Sequence, residues 1–321
     1  MPSLLSRIEA RLPADGGPGL LPATAPEEAT EEKRLGDRFA AETHLLGRRE
    51  GRFFTTARRL AAIASAARRR DPEELREAVE GVAPWELPEL LETLAQRSDV
   101  AGPALAEAGR RLAAQATDYA TLAAAIACLS LGLREEDREL LMIAGRSPAL
   151  AGVCALALEK LRADEVDAAL VGLAEAGAGL SRSMALERLA LRHLEEPAGF
   201  RDLAPRALEL AASIEDPLER AWAAVPLLEA ARAEELLADA PELAGAVVAC
   251  LESVSRGGWN GGPGPGLARL PGASRAALAA IDSASLPETS RRRAAAAVLD
   301  ARPMPAGAVR VAAEKLTGGR A

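Results

Sequence analysis

Large rings are scarce in this chain: three Trp, one Tyr and four Phe among 321 residues. Yet 49% of the residues are hydrophobic, so the core must be filled by smaller side chains, chiefly Ala and Leu. These are strong helix formers and poor strand formers. Sustained Val/Ile/Thr alternation is also missing, which excludes a sheet-based core. Histidine is nearly absent. His44 and His193 stand far apart with no HExxH or HxxxH spacing, so the usual metal and acid–base constellations have no ligands. His193, near a helix end, reads as a structural residue. Three cysteines, Cys128, Cys154 and Cys250, have no CxxC spacing and each lies in an apolar helical stretch. That pattern fits buried thiols in a reducing compartment. No apolar run approaches the roughly 20 residues of a membrane span. Arg7, Glu9 and Arg11 interrupt the apolar start, which therefore does not read as a secretory signal. The expected location is cytoplasmic.

GxxxxGK[ST] and GxSxG are both absent, so no cofactor, metal site or catalytic nucleophile is expected and the chain does not read as an enzyme. Pairs such as Glu135-Glu136, Glu195-Glu196 and Glu234-Glu235 read as solvated helix surface. A formal net charge of −8 argues against general nucleic-acid binding, although it leaves room for a local basic face.

What is present is a succession of helical segments separated by corners. Residues 1–12 form an amphipathic helix candidate. Residues 13–33, rich in Pro, Gly, Ala and Glu, read as a flexible linker. Residues 34–321 read as a helical-repeat domain, interrupted by a Gly/Pro-rich loop at 255–272. The clearest unit is ALELAASIEDPLERAWAAVPLLEA at 207–230. Leu208, Ala211 and Ala212 give one apolar face, and Asp216-Pro217 then breaks it. Asp at an N-cap accepts from free N–H groups, while Pro at the first helical position loses no bond. Asp71-Pro72 repeats this corner, Asp118 repeats it without Pro, and Leu286-Pro287-Glu288 is a weaker copy. Gly102-Pro103, Ser147-Pro148, Asp164, Gly177–Gly179 and Ala240-Pro241 punctuate the rest at irregular spacing.

The string AL-x-LA-x-SIEDP-x-x-RA-x-A at 207–223 resembles the degenerate HEAT-like helical-pair repeats of many bacterial proteins. Partial copies lie near 65–82, 109–130 and 278–299. The resemblance implies an all-α, right-handed α-solenoid-like array of antiparallel helix pairs of the HEAT/armadillo kind, fronted by the short N-terminal helix on its linker. In such proteins the repeats often accompany signalling ATPase or effector modules, and no nucleotide-binding motif accompanies them here.

Three segments depart from the repeat. Arg48–Arg70 holds eight Arg against one acid, Glu50, a local charge of 8 − 1 = +7. As one helix it would set Phe53, Ala57, Leu60, Ala61 and Ala64 opposite Arg48, Arg52, Arg59 and Arg70. Such a stripe suits phosphates or carboxylates, or else it is a solvated face. SRGGWNGGPGPG at 255–266 sets Trp259 in a mobile or tightly turned loop, as a binding anchor or as a cover for the array's edge. At the start, Leu4, Leu5, Ile8 and Leu12 form an apolar stripe that either docks on a partner or caps the chain's own first helices. Trp85 and Trp222 read as core.

The expectation is a non-enzymatic scaffold that binds another protein through its repeat surface. A nucleic-acid binder using the Arg48–Arg70 stripe is the second reading. An enzyme with a site gathered from scattered acids and arginines is a third class.

Overall fold

The computed structural model describes residues 2–23, 26–43, 57–69, 71–80, 82, 86, 102–256, 258–259, 262–263, 270–301, 305 and 307–318. Within these the chain is all-helical apart from one two-residue ladder. It divides into two compact units, 1–181 and 182–321, where the sequence suggested a single repeat domain at 34–321. Side chains of 39–43, 57–60 and the ladder lie outside the description.

The first unit opens with α1 (Leu4–Glu9), α2 (Pro26–Thr43), α3 (Ala57–Arg69) and α4 (Pro72–Val79). It continues with α5 (Gly102–Gln115), α6 (Tyr119–Leu129), α7 (Asp137–Ala144), α8 (Pro148–Leu158) and α9 (Ala163–Ala176). Helix α10 (Leu180–Arg192) begins at the division. The corners form for the reasons their residues suggest. Asp71 accepts from the N–H groups of Glu73 and Glu74, with Pro72 following. Asp118 accepts from both the N–H and the hydroxyl of Thr121. From α3 to α9 each helix lies against its sequence neighbours or the adjoining pair: α3 on α4 and α5, α5 on α6, α6 on α8, α7 on α8 and α9.

Helices α6 and α8 carry no charged residue and are buried almost all round. Close packing of such helices needs small side chains. At Gly109 a Cβ would stand 2.7 Å from the Ala125 carbonyl and 2.8 Å from Cβ of Cys128, so α5 meets α6 backbone to side chain.

Two helices depart from neighbour-only packing. Helix α1 lies on α7, with further contacts to α5 and α6, and α2 lies along α8. The expected linker at 13–33 is thereby corrected, because residues 26–33 belong to α2. Pro26 occupies the helix start and Glu27 and Glu28 its first turn, where Pro is tolerated and acids favour the helix dipole. Residues 10–23 are also tied down: Leu21 N–H donates to Arg11 O, and Gly19 N–H to Ala176 O.

The second unit contains a 3₁₀ turn (Pro197–Phe200), α11 (Ala204–Ala212), α12 (Pro217–Ala230), α13 (Ala233–Asp239), a 3₁₀ turn (Pro241–Leu243) and α14 (Ala244–Arg256). The ladder β1 (Gly258–Trp259) and β2 (Gly262–Pro263) follows, then α15 (Pro271–Asp282), α16 (Glu288–Asp300) and α17 (Ala308–Thr317). Helix α12 packs on α14 and α14 on α16, while α13 packs on α15. Leu208, Ala211, Ala221, Trp222, Ala224, Val225 and Leu228 are all buried. Asp216 caps α12, accepting from the N–H groups of Leu218 and Glu219. In the ladder Gly258 pairs with Pro263 and Trp259 with Gly262.

Candidate functional site

The polar side chains at the seams bind the next helix pair along. Arg110 grips Asp137 through two hydrogen bonds of 2.9 and 2.6 Å, 27 residues away. Ser181 Oγ donates to Arg146 O across 35 residues, and Ser183 Oγ donates to Glu219 O across 36. Arg220 donates to Ile214 O and, across 33 residues, to Ser253 Oγ. Arg293 makes a two-armed bond to Glu252 at 2.8 Å on each arm, across 41 residues. Glu229 accepts from Gly272 N–H at the start of α15 across 43 residues, supplying from another helix the cap that α15 lacks. The long-range ties, spanning 27 to 43 residues, each join one helix to another further along the same unit.

The most buried polar cluster lies where the N-terminal segment meets the first unit. Arg11 and Glu32 pair at 2.8 Å with side chains only 14% and 6% exposed. Ser147 Oγ donates to the other Glu32 oxygen at 2.5 Å. Arg11 also donates to Leu21 O. Tyr119 Oη is buried there and interacts with the Arg11 guanidinium. Burial, reinforced by the Glu32 carboxylate, pushes the Tyr119 phenol up to about 12. Nearby, Arg7 donates to Thr117 O at 2.6 Å and to Glu28 at 3.0 Å. Arg146 donates to Gly17 O and Gly19 O. Ser147 is fully buried, so this cluster fastens segments together and gives no substrate access.

The expected site residues fare differently. Leu4 and Ile8 are wholly buried on the chain itself, whereas Leu5 and Leu12 are partly exposed. The apolar stripe is therefore spent on self-capping in this structure. Arg48, Arg52 and Arg70 lie outside the described residues. Arg59 falls within α3, but its side chain is outside the description, as is that of Trp259. The described end of the stripe buries Ile63, Ala64, Ala66 and Ala67. Arg68 and Arg69 are exposed there, Arg69 pairing with Glu74 at 2.6 Å.

Burial pushes all three thiols up, Cys128 and Cys250 to about 12 and Cys154 further. They are core residues and poor nucleophiles. His193 stacks on Phe200 with ring centres 5.2 Å apart. Among the described residues no group of His, Cys, Asp and Glu could hold a metal ion, and no helix is long and apolar enough to cross a membrane. An open depression of about 500 Å³ along α2 is lined by Pro26, Glu27, Thr30, Glu31 and Arg34, a solvated helix surface without convergent donors. No family model, curated protein or solved structure matches the chain.

Proposed function

We propose that this chain is a non-enzymatic scaffold that binds another protein through the surface of its stacked helix pairs. One observation carries the reading: polar side chains, some of them buried, tie helices within each unit to others 27 to 43 residues further along. Each unit is then read as a stacked array of its own, and arrays present long surfaces suited to polypeptide partners. Within each unit the pairs are read as stacking in the right-handed, HEAT-like manner. The three buried, unpaired thiols are in keeping with a cytoplasmic location.

A second reading, nucleic-acid binding, is favoured by the Arg48–Arg70 segment. Its helix α3 turns apolar residues inward and carries exposed Arg68 and Arg69. The two readings separate on capture of the tagged full chain from its host, with and without nuclease. A protein partner retained after nuclease, and unaffected by Arg52→Glu with Arg59→Glu, supports the scaffold. Loss of every partner on nuclease treatment, with binding that weakens steeply with salt and in the double variant, replaces it with the second reading.

A further inference from the structure

We infer that residues 2–23 and helix α2 form a strap that opens as one unit and uncovers α8. The first observation is order. Among the described residues of the first unit, α3 to α9 contact adjoining pairs, while α1 and α2 return to helices more than one pair distant. Removal of the strap therefore leaves the neighbour-to-neighbour packing of the described helices intact.

The second observation is how the strap is held. Among its described residues only Leu4 and Ile8 are fully buried large apolar side chains. Nearly all else is polar fastening at helix corners. Leu4 N–H donates to Ala116 O, Arg7 to Thr117 O, Ser147 to Glu32, Arg146 to Gly17 and Gly19, and Gly19 N–H to Ala176 O. Buried ion pairs contribute little net stability, since desolvation offsets their attraction.

The third observation is what lies beneath. Helix α8 reads PALAGVCALAL, without a charge. Helix α2 approaches it so closely that a Cβ at Gly36 would stand 2.5 Å from the Pro148 carbonyl. The strap therefore occupies a groove already fitted to a helix. That the groove would receive a partner's helix rests on the scaffold reading; the opening itself does not.

Hydrogen–deuterium exchange on the full chain tests the opening. Amides of α1 and α2 should exchange together, at least about tenfold faster than those of α6 and α8. Arg11→Ala, and separately Ser147→Ala, should speed both strap helices in parallel and leave α6 and α8 unchanged, with far-ultraviolet circular dichroism preserved. Strap amides as protected as α6, or α1 and α2 responding independently to both variants, would overturn the inference. A fluorescent peptide of residues 26–43 should bind Arg11→Ala more tightly than the parent chain. Common opening without any captured protein partner upholds the strap and removes the scaffold reading instead.

Discussion

At the scale of single residues, the chemistry is that of joints. Tyr119 is the clearest reporter because it is the chain's one tyrosine. Its phenol is pushed up to about 12 by burial and then by Glu32, whereas in an unfolded chain it ionises near ~10. The folded state therefore holds the proton more tightly. This contribution is fully present below about pH 10 and is lost as pH rises from about 10 to about 12. A phenolate absorbance titration should show no transition near pH ~10 in the native protein and a normal one in denaturant. Glu32→Gln should bring the native transition down, because the carboxylate's repulsion of the phenolate goes with it. A native titration already at the unfolded position would mean that Tyr119 is open to water.

At the scale of elements, the corners were the most legible part of the sequence. Asp71, Asp118 and Asp216 all cap the helices that follow them, because an N-cap is decided within three residues. Asp216→Ala should cost about 1 kcal/mol in urea unfolding, and Asp216→Asn distinctly less; equal losses would shift the explanation from the cap to the charge. Helix α2 was misread as linker because PEEATEEK has almost no apolar face, although its Glu, Ala and Lys favour helix. Its partners are also remote, with Glu32 meeting Ser147 across 115 residues. Local pattern holds no trace of such a meeting. The segment around Trp259 read only as a mobile or tightly turned loop, and the short ladder of Gly258–Trp259 with Gly262–Pro263 was not foreseen. Helix α12 runs through Pro226 where local rules favour a break, its buried neighbours on both sides outweighing the lost N–H.

At the scale of the molecule, the all-helical class followed from composition, since Ala and Leu dominate a core in which Phe200 is the largest fully buried side chain among the described residues. The division after Ser181 was not visible, because GAGLSRSMALERL reads like any other helix start. The N-terminal stripe of Leu4, Leu5, Ile8 and Leu12 was visible as a sticky face, but a sequence does not say whose surface it meets. The structure gives it to the chain's own first unit.

That return has a consequence in time. Ser147 meets Glu32 of α2 across 115 residues, so α2 leaves the ribosome long before the helix it will cover exists. At about 5–20 residues per second the wait is roughly 6–23 s. During that interval α2 has no native surface to rest on, whereas α5 and α6 pair as soon as they appear. Strap closure is then the last event in maturation of the first unit, slowed by the chain length it must close. Pulsed hydrogen-exchange labelling during refolding should find α5 and α6 protected first and α1 and α2 protected last, together. Early protection of α2 would instead assign it a part in nucleation. A nascent chain halted before Ser147 would present an unpaired acidic helix to whatever else is near.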